Sequence, residues 1–387
     1  MSQKVATREP VSSGPAPSRR FEHLDGLRGV SALVVVFAHF VFFLSMTEPG
    51  GGPITGWVKQ TPVKALLNGD FAVYIFFVLS GFVLAQSVAR GGVTLFARIV
   101  ARYFRLTVPM LASLVFAWAL FSLFPQVRTE FVTAYPNEWM EKHFYGADFP
   151  GFIKTVADGL YGVYLHGTSL FNNVVWTMRK ELMGSILIYL VYRFASPGKV
   201  VPVLVVLGAA LLFYPILLGF PLGALLREAW VRGGLRDRPW AWATFVFGLW
   251  IANDGHVRLW PTASPETVSP STFIFDHMGH TYSLGAALLL FSVLTLPALR
   301  GFFSHAIPRF LGRISFSLYL VHVPLLGTLF TLLALHLTLA PYLKFGTLLA
   351  LFLPTSFAVA WLMTVALDEP LMRSLRHLKN LRLPTWK

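Results

Sequence analysis

Long apolar runs separated by short polar stretches dominate the chain. Nine runs fall at about 27–46, 70–89, 106–124, 175–194, 200–226, 240–252, 279–299, 314–336 and 345–367, each bounded by charged or Pro/Gly-rich residues. About 20 apolar residues in helical rise cross the hydrocarbon core of a bilayer, so the pattern predicts transmembrane helices. Lys and Arg clusters then assign the sides. Lys4, Arg8, Arg19 and Arg20 precede the first run, Arg90, Arg98, Arg102 and Arg105 follow the second, and Arg193 and Lys199 follow the fourth. Arg300, Arg309 and Arg313 precede the eighth, and Arg373, Arg376, Lys379 and Arg382 close the chain. All of these fall on the cytoplasmic side only if one run crosses twice. Run 200–226 is the candidate, because Tyr214–Pro221 holds two prolines and a glycine and Arg227, Arg232, Arg236 and Arg238 follow. The expected fold is an all-α polytopic transmembrane helix bundle of about ten helices with both termini cytoplasmic.

Residues 1–20 lack an apolar core or cleavage site and read as a disordered cytoplasmic tail. Residues 21–372 form the expected transmembrane domain, and 373–387 a basic cytoplasmic tail. Segments 125–174 and 253–278 fall outside, either as a vestibule or as passive connections.

Composition narrows the class. Of 387 residues 55% are hydrophobic and 13% charged, about half the charged share of a soluble domain, which excludes a water-soluble globule. The net charge of +14 reads as topology, because no soluble basic module for nucleic acid is visible. The absence of cysteine excludes disulfides, thiolate nucleophiles and Cys-based metal sites, and no metal is expected.

Ionisable residues inside apolar runs point to function, since hydrocarbon penalises them unless they face a cavity or a partner. Arg28 and His39, eleven positions apart, lie within about 20° of one helix face, with Asp25 about 40° away. The rise between Arg28 and His39 is about 16 Å, so His39 sits near mid-membrane and takes its partners from other helices, or simply bonds a backbone carbonyl. Asp25 and Arg28 also suit a structural ion pair. Arg98, Arg102 and Arg105 form one stripe, suited either to a phosphorylated cytosolic ligand or to anionic lipid headgroups. Glu181 enters its run from the outer side, while Ser315, Tyr319 and His322 share a face. These groups suit proton transfer, or Glu181 neutralises Arg179 or Lys180 and His322 is a satisfied core histidine.

Together these segments resemble the membrane acyltransferase 3 family. The likeness rests on LDGLRGVSALVVVFAHF near the N-terminus, FFVLSGF at 76–82, ARYFRLTVP, WTMRKEL with Trp176 five residues before Glu181, SFSLYLVHVPL and a closing DEPLMR at 368–373. It spans about 350 residues. The resemblance implies a ten-helix fold in the cell membrane and an O-acyltransferase of the stand-alone form. It also implies an acyl-CoA co-substrate, usually acetyl-CoA, approached from the cytoplasm, with no permanently bound cofactor. It makes His39 the essential histidine, Arg28 the first-span arginine, and Arg102 and Arg105 donor-side arginines. Arg98 joins them in the stripe, Glu181 joins His39 in the chemistry, and Asp25, Trp176, Tyr319 and His322 are candidates for the acceptor or a proton relay. Leu182 stands where the family often carries a second acidic residue, and Arg179 with Lys180 replaces apolar or small residues, so the acceptor differs from that of the polysaccharide acetylases. Expected partners are acyl-CoA, a carbohydrate or glycolipid acceptor, and membrane lipids. The alternative is a carrier for a lipid-linked sugar or small anion.

Overall fold

The computed structural model describes residues 21–47, 61–89, 91–135, 149–170, 172–235, 237–253 and 277–380, and among these every regular element is helical. The tail at 1–20 and most of segment 253–278 lie outside them.

The first three long helices are α1 (Glu22–Met46), α2 (Gly69–Val88) and α3 (Leu95–Leu123). The short helices α4 (Gln126–Ala134) and α5 (Phe152–Ala157) lead to α6 (Trp176–Phe194). Run 200–226 divides into α7 (Val200–Ala210) and α8 (Gly219–Val231), which pack against each other. The break falls at Leu211–Leu217, in two short 3-10 turns around Tyr214 and Pro215, where proline withdraws a backbone donor. Then come α9 (Ala241–Ala252), α10 (His277–Thr295), α11 (Pro297–Phe303), α12 (Ala306–Leu325, continuing to His336), α13 (Pro341–Met363) and α14 (Glu369–Asn380).

Among the described residues, five helices qualify as membrane spans by length and apolarity, or six if α10 and α11, bent by 97° at their junction, count as one broken span. That is fewer than the ten expected. The helices that fall short are brief, such as α7 and α9, or charged, such as α6 with Arg179, Lys180, Glu181 and Arg193. Among the described residues, ion pairs tie three of the arginines before and at the start of α12 to acidic residues of other segments. Arg309 meets Glu22 (2.8 Å), Arg300 meets Asp237 (2.8 Å) and Arg313 meets Glu369 (2.7 Å).

Residues 152–166, expected in an outer loop, run as a helix along α3. Phe152 packs edge-on against Trp118 (5.1 Å between ring centroids), Tyr103 donates to the Leu160 carbonyl (2.7 Å), and the Tyr164 and Thr107 hydroxyls are 2.9 Å apart. The contacts with Tyr103 and Thr107 carry the segment along the outside of α3 toward its N-terminal half. A π-helical turn at Asp158–Gly162 and the left-handed Gly167 (φ 79°) break the periodicity that would have marked it in the sequence.

Glycines set the closest approaches. A Cβ at Gly29 would overlap the backbone of Leu311 and Gly312, one at Gly312 the carbonyl of Asp25, and one at Gly223 the carbonyl of Val78. Thus α1 lies on α12, and α8 on α2, at the backbone contact that small residues permit. Gly29→Ala and Gly223→Ala are each expected to cut the yield of monodisperse detergent-extracted protein several-fold, because the backbone cannot yield to a methyl. Gly301→Ala, whose Cβ would meet nothing within 4 Å, should keep the wild-type yield.

Candidate active site

Helices α1, α2, α3, α6, α12 and α14, with the turn leading into α14, surround a cavity of about 370 Å³. Four guanidiniums line it: Arg28 from α1, Arg102 and Arg105 from α3, and Arg313 from α12. Each is met by a carboxylate. Arg102 bonds Glu181, and Arg105 bonds Asp368, the last residue of a π-helical turn (Thr364–Asp368) joining α13 to α14. Arg28 pairs with Asp25 at 3.2 Å, and Arg313 Nε donates to Glu369 at 2.7 Å. The Glu181 Oε1 that Arg102 reaches also accepts from the Ser80 hydroxyl. Arg102 Nε donates to Ser185 Oγ (2.8 Å), and that hydroxyl donates to the Glu181 carbonyl (2.6 Å). Glu181 and Asp368 line the cavity with their arginines, whereas Asp25 and Glu369 meet theirs from outside it, so guanidinium donors not spent on these carboxylates suit a ligand with anionic or acceptor groups.

One turn further along α2 and α12 the wall becomes aromatic. Phe76 is four residues from Ser80, and Tyr319 four from Ser315, so each continues the same helix face about 6 Å on. The Tyr319 hydroxyl donates to the Val174 carbonyl (3.0 Å) and lies 3.0 Å from Thr177 Oγ1. Behind Tyr319, at 6.0 Å between ring centroids, is His322, fully buried and outside the cavity.

His322 supplies the partner that the sequence required of another helix for His39. Its Nε2 lies 3.3 Å from His39 Nδ1, and the rings are 5.0 Å apart. His322 Nδ1 faces the Leu318 carbonyl at 3.0 Å, and His39 Nδ1 faces the Val35 carbonyl at 2.9 Å. A carbonyl only accepts, so both Nδ1 atoms carry the proton. His322 Nε2 is then the acceptor for His39 Nδ1–H, which it shares with Val35, and His39 Nε2 keeps an unprotonated lone pair. Both readings of His39 hold in part: it bonds a carbonyl of its own helix and takes a partner from α12.

The arginine stripe divides. Arg102 and Arg105 face the cavity, whereas Arg98 spends its donors on the carbonyls of Val93 (3.2 Å), Ser87 (3.3 Å) and Gly91 (3.2 Å), closing the turn between α2 and α3. Asp25 holds Arg28 from outside the cavity, and Trp176 opens α6 without lining it. Glu181 sits in the guanidinium layer because α6 begins deep in the bundle, beside Val174 and Tyr319, and Glu181 lies five residues further on. Sequence reasoning did not single out Ser80, Thr177, Phe76, Arg313 or Asp368 as site residues. Ser80 and Phe76 stand in FFVLSGF, and Asp368 in DEPLMR, so the segments were visible but not their convergence.

Comparison with known proteins places these helices in a family. The acyltransferase domain family matches residues 21–365. O-acetyltransferase PaAT-1 of Phomopsis amygdali is 28% identical over 362 residues, covering 79% of this chain and 72% of its own length. No solved structure matches.

Proposed function

The chain belongs to the acyltransferase domain family and is a membrane O-acyltransferase, and from that premise we propose that it moves an acetyl group from cytosolic acyl-CoA to a hydroxyl of a carbohydrate or glycolipid at the cell membrane. The observation that carries this reading is the order of three layers along the bundle. The guanidiniums come first, Phe76 and Tyr319 about one turn further, and the histidine pair beyond them.

The donor enters past Ser87 and Leu375, on the cytoplasmic side expected from the basic clusters, and Arg28, Arg102 and Arg105 hold its polar groups. His39 lies outside the lining of this cavity, beyond Phe76 and Tyr319, so the acyl end of the donor passes that layer. There His39 Nε2 takes the proton of the acceptor hydroxyl as its oxygen attacks the thioester carbon. The C–O bond forms, the C–S bond breaks, and the departing thiolate receives a proton, leaving ester and free CoA. His322 holds His39 with Nε2 free and shares the charge of the protonated ring. Glu181 fixes Arg102, and its second carboxylate oxygen accepts a hydroxyl from the acceptor.

Because the chain has no native cysteine, a single introduced thiol reports on this site. Ser87→Cys is expected to react with a membrane-impermeant maleimide from the cytoplasmic side only, and acetyl-CoA should slow the reaction at least several-fold. Ser264→Cys should react from the opposite side. Reversed accessibility would overturn the topology and the donor side with it. Unchanged labelling in saturating acetyl-CoA would remove the donor from this cavity.

A further inference from the structure

Two of the four ion pairs at the cavity differ in kind from the other two. Asp25 meets Arg28 from three residues away on the same helix, and Glu181 on α6 meets Arg102, with Ser80 and Ser185 holding the two groups in place. Those carboxylates are fixed in the bundle. Asp368 and Glu369, which meet Arg105 and Arg313, are neighbours where α13 passes into α14. Of the side chains described between 368 and 375, these two alone have polar contacts with another helix, while Met372 and Leu375 add to the cavity wall. Glu369 has a second cation, Arg373, at 3.6 Å on its own helix, so it is not stranded when Arg313 is drawn away.

The junction has the form of a pivot. Its first residue is anchored, because the Thr364 hydroxyl lies 2.9 Å from Ser317 Oγ on α12. From there to Asp368 the helix widens into a π turn, a local irregularity at which long helices bend. α14 can thus swing about this turn while α13 stays in the bundle. A phosphate group competes directly for both guanidiniums. It presents the same paired oxygens to the fork of an arginine as a carboxylate does, with as much charge or more. Only the carboxylates carried by the pivoting segment can give way to it.

We infer that the phosphate groups of the donor displace Asp368 and Glu369 from Arg105 and Arg313, so that α14 swings aside when acyl-CoA binds and returns when CoA leaves. This deepens the donor reading above and rests on it. The empty cavity is closed by the protein's own anions, and Arg313 joins the residues that hold the donor. No covalent bond changes in the exchange.

The test reads affinity and motion separately and needs no acceptor. CoA is titrated calorimetrically into the full-length protein in detergent and into Asp368→Asn and Glu369→Gln, whose amides keep the shape of the side chain and lose its charge. Asp368→Asn should bind CoA about tenfold more tightly and Glu369→Gln about threefold, in the order of burial of the two pairs, because the ligand no longer displaces a carboxylate. Motion is read as the distance between nitroxide labels on Gly301→Cys and Ser374→Cys, two exposed positions in an otherwise cysteine-free chain. Saturating CoA should shift that distance by several ångström. Equal or weaker binding of CoA by the folded variants overturns the inference, as does an unmoved distance at saturation, and CoA binding itself then leaves the donor reading standing. Should Asp368→Asn fail to fold, Glu369→Gln decides the matter alone. If neither the parent protein nor the variants bind CoA, the donor reading falls and the inference with it.

Discussion

His39→Ala should lower acetyl-CoA-dependent transfer by at least 100-fold while leaving the protein folded. The size follows from removing a general base, a contribution of about 10²–10⁴-fold. Survival of the fold follows from the local bonding. The His39 ring is half-buried, its nearest polar contacts are one carbonyl of its own helix and one ring nitrogen, and α1 is held to α12 through its glycine contacts nearer the N-terminus. His322→Asn should act more mildly. Its side chain leaves His39 Nδ1–H bonded to Val35 but removes the second acceptor, so the imidazolium formed during transfer is less well stabilised and kcat falls while KM for acetyl-CoA holds. The measurement is thiol release from acetyl-CoA by protein in liposomes, with an envelope glycan extract as acceptor, normalised to monodisperse protein. A His39→Ala enzyme keeping more than about a tenth of wild-type turnover would contradict the role.

A comparably large effect is expected at Arg102 and Glu181, where activity and folding can be separated. The two side chains are 18% and 12% exposed, so replacing either by Ala strands a buried charge, at a cost of about 3–5 kcal/mol. Arg102→Ala and Glu181→Ala should each lower the thermal midpoint in detergent and reduce transfer at least 100-fold. The double variant Arg102→Leu with Glu181→Leu should recover most of the midpoint, because no uncompensated charge remains, and none of the transfer. Measured against the single variants Arg102→Leu and Glu181→Leu, the non-additivity in stability measures the pair, and the persistent inactivity measures its function. Activity returning along with stability in the double variant would make the pair purely structural.

Much of this was legible in the sequence, and the limits have physical causes. The apolar runs locate the long helices because hydrocarbon demands continuous hydropathy, and α1, α2 and α12 begin or end within a few residues of the runs. Proline and glycine at Tyr214–Pro221 mark the break that separates α7 from α8. Helical spacing put Ser315, Tyr319 and His322 on one face, and that face does turn toward the cavity and the histidine pair. Spacing could not show that Arg98 turns away from Arg102, because both share the stripe and only the carbonyls of Val93, Ser87 and Gly91 decide the matter. Nor could it find the His39–His322 contact, between residues 283 positions apart. The helix at 152–166 escaped for a third reason: its contacts with α3 are made one aromatic at a time, with a π-helical turn in the middle.

The C-terminal segment has a practical bearing on how this enzyme is handled. The family match ends at residue 365, an inviting place to cut the chain or attach a reporter. The carboxylates that neutralise Arg105 and Arg313 come three and four residues later, and Met372 and Leu375 form part of the cavity wall beyond them. A protein trimmed to the matched region would carry two uncompensated arginines beside an open-sided cavity, and its inactivity would say nothing about His39. Reporters belong after Asn380, and shortened relatives of this enzyme should be compared only once their own counterparts of Asp368 and Glu369 have been located.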